Sequence, residues 1–196
     1  MQVTNRFKTF YILSLLLFTL VSCQTTSPGG KSKRLFTEQG EDWEISETAN
    51  WTFQDDELTG VSDAIGGYMA TKAPYQNFKF KAEFYPIEGV NSGIFFRCQQ
   101  KDLSAKNCYE ANIWDDHIEQ QWRTGSIVGR KSPLNQITTK NQWNEYVLQV
   151  EGAHIQTWIN GQKMIDFEDD ELTSGYLLLQ VKSGSIKFRN LIISPL

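Results

Sequence analysis

The stretch "FKFKAEF" at 78–84 alternates without a break. Phe78, Phe80, Ala82 and Phe84 fall on one side of an extended chain, and Lys79, Lys81 and Glu83 on the other. A period of two marks a strand with one dry face and one wet face. Similar runs, rich in Val, Ile, Phe, Tyr and Trp, recur at 68–72, 92–98, 109–115, 125–128, 144–150, 154–160, 163–167, 176–181 and 185–193. Turn signals separate them: Asp55-Asp56, Glu151-Gly152 and Asn160-Gly161, the last a strong two-residue hairpin signal. No long segment carries a 3.6-residue period, and residues 169–174 read as a loop or one helical turn. Short strands joined by tight turns predict an all-β domain, a sandwich or jelly roll of antiparallel sheets with a polar outer face free to bind a ligand.

The N-terminus follows a different pattern. In "MQVTNRFKTFYILSLLLFTLVSC" a basic start (Arg6, Lys8) leads into an apolar run over 10–21 and then Leu20-Val21-Ser22-Cys23. That run is shorter than the roughly 20 residues a membrane-spanning helix needs, so it reads as a signal peptide. Its end resembles a bacterial lipobox, which implies cleavage before Cys23 and lipidation of the Cys23 thiol. The expected organisation is a signal peptide over 1–22, the lipidated cysteine with a flexible tether over 23–34, and one domain over 35–196. Gln24 in place of Asp resembles outer-membrane sorting, so the expected location is the bacterial cell envelope, with the membrane touched through the lipid anchor only.

Charge narrows the partners. Removing residues 1–22 takes away Arg6 and Lys8 but no acidic side chain, so the formal net charge of −4 becomes about −6. No basic stripe with interleaved aromatics is present, which argues against nucleic acid. The oligomeric state is not legible. With Cys23 assigned to lipid, Cys98 and Cys108 remain as a pair in an oxidising compartment, at a spacing unlike the Cys-x-x-Cys of redox or zinc sites. A disulfide between them is predicted, with a stabilisation of about 2–3 kcal/mol.

Polar residues gather around that pair, in "FFRCQQKDLSAKNCYEANIWDD" at 95–116. This stretch, with "TKAPYQNFKFKAEFYPIEGVNSGIFFRC", "TGSIV", "QWNEYVLQVEG", "WINGQ", "LLLQ" and "IKFRNLIISPL" in order, resembles the 3-keto-disaccharide hydrolase family over roughly residues 35–196. The resemblance implies a concanavalin A-like jelly roll of two antiparallel sheets. It also implies cleavage of glycosides oxidised to a ketone at C3, by hydrolysis or by elimination followed by hydration. Where many members carry a His after the Leu-Gln of the penultimate strand, this chain has Lys182 and Ser183.

A 3-keto group acidifies the proton at C2, so such chemistry needs a base, an acid for the leaving group, and a cation or donor beside the enolate oxygen. Glu110, Asp115, Asp116 and His117 are the candidate acids and bases, and Arg97 the candidate cation. Asn91, Asn112, Gln180 and Lys182 are candidates for binding sugar hydroxyls, and Trp114 and Trp122 for stacking on a sugar ring. Alternation puts Glu110, Asn112 and Trp114 on one face, and Asn91, Gly93, Phe95 and Arg97 on one face of the neighbouring strand. Arg97 is thus expected opposite Glu110, with Gly93 leaving room for a ligand.

Blander readings stand beside these: Arg97–Glu110 as a structural ion pair, Asp115-Asp116 as a turn, and Trp51, Trp143 and Trp158 as packing. His117 and His154 are the only histidines, so neither two-His metal ligation nor a Ser-His-Asp triad is supported. No cofactor is expected, and calcium is left open. A retaining glycosidase of this broad fold would place two carboxylates about 5–5.5 Å apart, whereas Asn112 and Trp114 follow Glu110 on its face. The alternative function is a non-catalytic, lectin-like carbohydrate-binding lipoprotein.

Overall fold

The computed structural model describes residues 30–35, 41–104 and 106–196, Ala64 by its backbone alone. The expected signal peptide and Cys23 lie outside the described residues. Among the described residues eleven strands follow in order: β1 (Lys33–Arg34), β2 (Trp43–Ile45), β3 (Asn50–Gln54), β4 (Glu57–Thr71), β5 (Phe78–Pro86), β6 (Asn91–Cys98), β7 (Tyr109–Ile113), β8 (Asn144–Glu151), β9 (His154–Ile159), β10 (Gln162–Glu168) and β11 (Tyr176–Pro195). All pairings are antiparallel. The domain, expected to begin at residue 35, already includes Lys33 and Arg34, which pair with the end of β11, and Leu35 is buried.

Two long strands make the sandwich. The first part of β11 pairs with β6, which carries β7, and its second part pairs with β5, which leads to β8, β9 and β10. On its other edge β11 pairs with β4, whose ends hold β3 and β2. The two runs expected at 176–181 and 185–193 are therefore one strand, interrupted at Lys182 by a bulge rather than a turn. The expected strand at 125–128 is instead an irregular segment along β7, held by isolated bridges at Ile127. A single turn of 3-10 helix, Gln120–Trp122, was not expected.

The core lies where the sheets face each other. Phe80, Phe84, Tyr146 and Leu148 from one sheet pack with Ile94, Phe96, Leu179 and Val181 from the other. Each such side chain contributes roughly 1.5–3 kcal/mol when fully buried. The hairpin turns form as their sequences demand, with positive φ at Asp55, Asp56, Asn160 and Gly161. Trp51, Trp143 and Trp158 are packing residues: Trp51 lies against Gly60, Trp143 against Arg189 and Tyr85, and Trp158 against Lys163.

β6 departs from simple alternation, since seven of its eight residues are buried. Its second face is covered as well. Ala70, Phe95, Leu178, Cys98 and Cys108 form a separate apolar cluster there, flanked by Tyr68, Leu103 and Tyr176. Cys98 and Cys108 are disulfide-bonded. The loop they close is tied down by Tyr68, whose hydroxyl donates to the Lys101 carbonyl, and by the Lys101–Glu44 ion pair at 2.6 Å.

Candidate active site

On the outer face of the β7–β6–β11 sheet, the strand registers assemble two rows of side chains. Asn112, Gly93 and Gln180 lie directly opposite one another. One step along the strands come Glu110, Phe95, Leu178 and Ala70. The first row is polar, and the second turns apolar after Glu110. Over the polar row opens a cleft of about 260 Å³, lined by Asn91, Glu110, Asn112, Trp114, Trp122, Val128, Gln180 and Lys182.

Glu110 leans over Gly93. A Cβ built on Gly93 would stand 2.9 Å from Glu110 Oε1, so the absent side chain is what admits the carboxyl. With the apolar row beside it, burial pushes the Glu110 carboxyl up to about 7 from its ordinary 4.5, and among the described residues no neighbouring charge pulls it back. A carboxyl balanced near neutrality can both take and return a proton.

Asn112 and Gln180 form the floor of the cleft. Both are buried, and among the described residues neither Asn112 Oδ1 nor Gln180 Oε1 has a hydrogen-bond partner. Asn112 is held in place by its amide, which donates to the Trp122 carbonyl. Unpaired buried acceptors carry a desolvation cost of roughly 1–3 kcal/mol each, which donors on a ligand would relieve. A polyhydroxylated molecule supplies such donors.

The wall comes from a segment the alternation pattern misread. Residues 125–128 follow β7 through bonds from Gly125 N to the Asn112 carbonyl (3.0 Å), Asn112 N to the Ser126 carbonyl (3.0 Å) and Val128 N to the Glu110 carbonyl (2.9 Å). Val128 thereby reaches the cleft, a role nothing in its local sequence signals. Trp114 and Trp122 complete the wall. His117 braces them, with its ring centroid 4.4 Å from that of Trp114 and 6.2 Å from that of Trp122.

Four candidates for the chemistry are placed elsewhere. Arg97 does not face Glu110. β6 bulges so that Phe96 and Arg97 together stand opposite Leu177, and Arg97 takes a φ of 51°. Its guanidinium is buried, with Nε and Nη2 donating to the Gln76 carbonyl at 3.2 and 2.9 Å and Nη1 to the Leu172 carbonyl at 2.9 Å. The same bulge puts Cys98 on the face of Phe95, where it meets Cys108.

Asp115 is buried in a knot of donors, accepting from Thr124 Oγ1, Thr139 Oγ1 and the Thr139 and Lys140 amides. It fastens the β7 exit to the 138–140 loop. His117 is not part of the cleft lining, and its Nδ1 accepts from the Glu119 amide at 3.0 Å. Asp116, on the surface, pairs with Lys140 at 2.7 Å. The structure does bring together Glu110, Asn91, Asn112, Trp114, Trp122, Gln180 and Lys182. Among the described residues no three His, Cys, Asp or Glu side chains gather in an arrangement that could hold a metal.

The profile of the 3-keto-alpha-glucoside-1,2-lyase-like domain matches residues 31–194. The chain belongs to that family. This places it among carbohydrate-active proteins. No curated protein matches the chain significantly. Among solved structures it is similar to a protein of Parabacteroides distasonis ATCC 8503 provisionally named a glycosyl hydrolase, at 26% identity and a TM-score of 0.75, over 85% of this chain and 100% of that one. Two more distant likenesses show the fold alone. One is the β-glucanase of Bacillus licheniformis, at 11% identity and a TM-score of 0.60, over 87% and 99% of the two chains. The other is a carbohydrate-binding module of Bacillus subtilis, at 18% and 0.55, over 76% and 93%. The fold is that of these jelly rolls, as the strand pattern predicts.

Proposed function

We propose that the protein cleaves 3-keto-glycosides, with Glu110 as the base that removes the proton at C2. The observation that carries this reading is a single half-buried carboxyl, raised to about 7, over a floor of unpaired amide acceptors. Cleaving an unmodified glycoside calls for two carboxyl groups about 5–5.5 Å apart, or farther in inverting enzymes. Among the described residues Glu110 is the one carboxyl in the cleft lining. One base suffices where the substrate carries its own activation.

In the proposed reaction Glu110 takes the C2 proton and the C–H electron pair moves onto the C3 oxygen as an enolate. The enolate then re-forms the ketone, a C1–C2 double bond forms, and the C1–O bond breaks. The leaving oxygen takes its proton from water. Addition of water across the new double bond, with Glu110 returning the proton to C2, completes a net hydrolysis. Asn112 and Gln180 accept hydrogen bonds from ring hydroxyls, and Trp114 and Trp122 stack against the sugar. We place this activity in the bacterial envelope, the domain being held by lipid on Cys23. Cys23→Ser is expected to release the protein from the membrane fraction.

The test is incubation with a 3-keto-glucoside that bears a chromophoric leaving group. Release should climb with pH through a midpoint near 7 and vanish in Glu110→Gln while the fold is retained. Sugar binding without turnover would instead establish a lectin-like module.

A further inference from the structure

The proposed elimination drives negative charge onto the C3 oxygen, and the residue expected from the sequence to meet it, Arg97, is buried elsewhere. We propose that Lys182 is the catalytic cation, its ammonium stabilising the C3 oxygen as the C2 proton leaves. The inference rests on the reading of Glu110 as base.

Four observations support it. Among the described residues Lys182 is the one cationic side chain in the cleft lining, opposite the wall built by β7 and 125–128. It stands at a double irregularity, because β11 loses register between Val181 and Ser183 against both β4 and β6. Against β6 Lys182 is the extra residue, a β-bulge of the kind found beside functional sites, and against β4 it stands across from the unpaired residues 64–66. Its ammonium is tethered, since Nζ donates to the Ile65 carbonyl at 3.0 Å. One of three N–H groups is spent there, leaving two for a ligand. Its stem is seated against Gly66, where a Cβ would come within 2.9 Å of Lys182 Cδ. The backbone across from the bulge is therefore shaped around this lysine.

A cation held beside a forming oxyanion acts mainly in the transition state, so its loss should appear in kcat more than in KM. With the full-length protein and a chromophoric 3-keto-glucoside, Lys182→Met should lower kcat by about 10²–10³-fold, with KM changed only a few-fold. Lys182→Arg should keep a substantial part of the activity. Thermal melts confirm that each variant is folded. A parent that turns over while Lys182→Met stays within about threefold of it, or changes KM alone, overturns the role of Lys182 and leaves Glu110 standing. A parent that does not turn over, or a Glu110→Gln variant as active as the parent, overturns the base and this inference with it.

Discussion

Gly93 and Glu110 share one space: a Cβ on Gly93 would sit 2.9 Å from Glu110 Oε1 and 3.2 Å from its Cγ. The crowded atoms belong to a side chain rather than to the backbone, so Gly93→Ala is expected to fold with a loss of about 1 kcal/mol. The methyl would push the carboxyl off the cleft floor, and a displacement of about 1 Å can cost on the order of 100-fold in rate. Melting curves and release kinetics on the same preparation check both halves.

Glu110 also makes stability depend on pH. Its carboxyl is raised to about 7 in the folded protein against an ordinary 4.5, so the folded state binds its proton more tightly than the unfolded one does. The stability this contributes is fully present below about 4.5 and is lost as pH rises through 7. Glu110→Gln keeps a neutral side chain at every pH. The variant should melt close to the parent at pH 5 and a few degrees above it at pH 8. A difference in melting temperature that does not change with pH would contradict the dry carboxyl.

Arg97 is expected to behave as a structural residue. Its guanidinium satisfies the carbonyls of Gln76 and Leu172 in a buried position. Arg97→Met leaves both carbonyls without these donors and should cost about 2–4 kcal/mol. Denaturant titration reads that loss. The kcat of the protein that remains folded should stay within a few-fold of the parent.

The disulfide braces the apolar cluster beside Glu110. Cys108 lies two residues before Glu110, and both cysteines pack with Phe95 and Leu178. Paired replacement of Cys98 and Cys108 by Ala should cost about 2–3 kcal/mol of stability. Water reaching that face would let the Glu110 carboxyl charge more easily. The midpoint of the pH–rate curve should then move below 7, toward 4.5.

Much of this was legible in the sequence. The alternation of Phe78, Phe80, Ala82 and Phe84 specifies which face of β5 is dry, and the same period places Glu110, Asn112 and Trp114 together. Asn160-Gly161 sets its hairpin through local backbone preference, and Cys98 with Cys108 states its own pairing once Cys23 is set aside. These are properties of neighbours along the chain, with a range of a few residues. What the sequence could not decide is where the period breaks. The bulge at Phe96–Arg97 turns the expected cation inward to the carbonyls of Gln76 and Leu172, and the irregularity at Lys182 takes that residue out of register with both neighbouring strands. Asp115 looks like a catalytic acid until Thr124, Thr139 and Lys140 surround it. Val128 becomes a cleft residue only because 125–128 lies along β7. Each outcome depends on backbone donors and acceptors that are distant in sequence and must be satisfied when the sheets close, so the tertiary structure alone determines them.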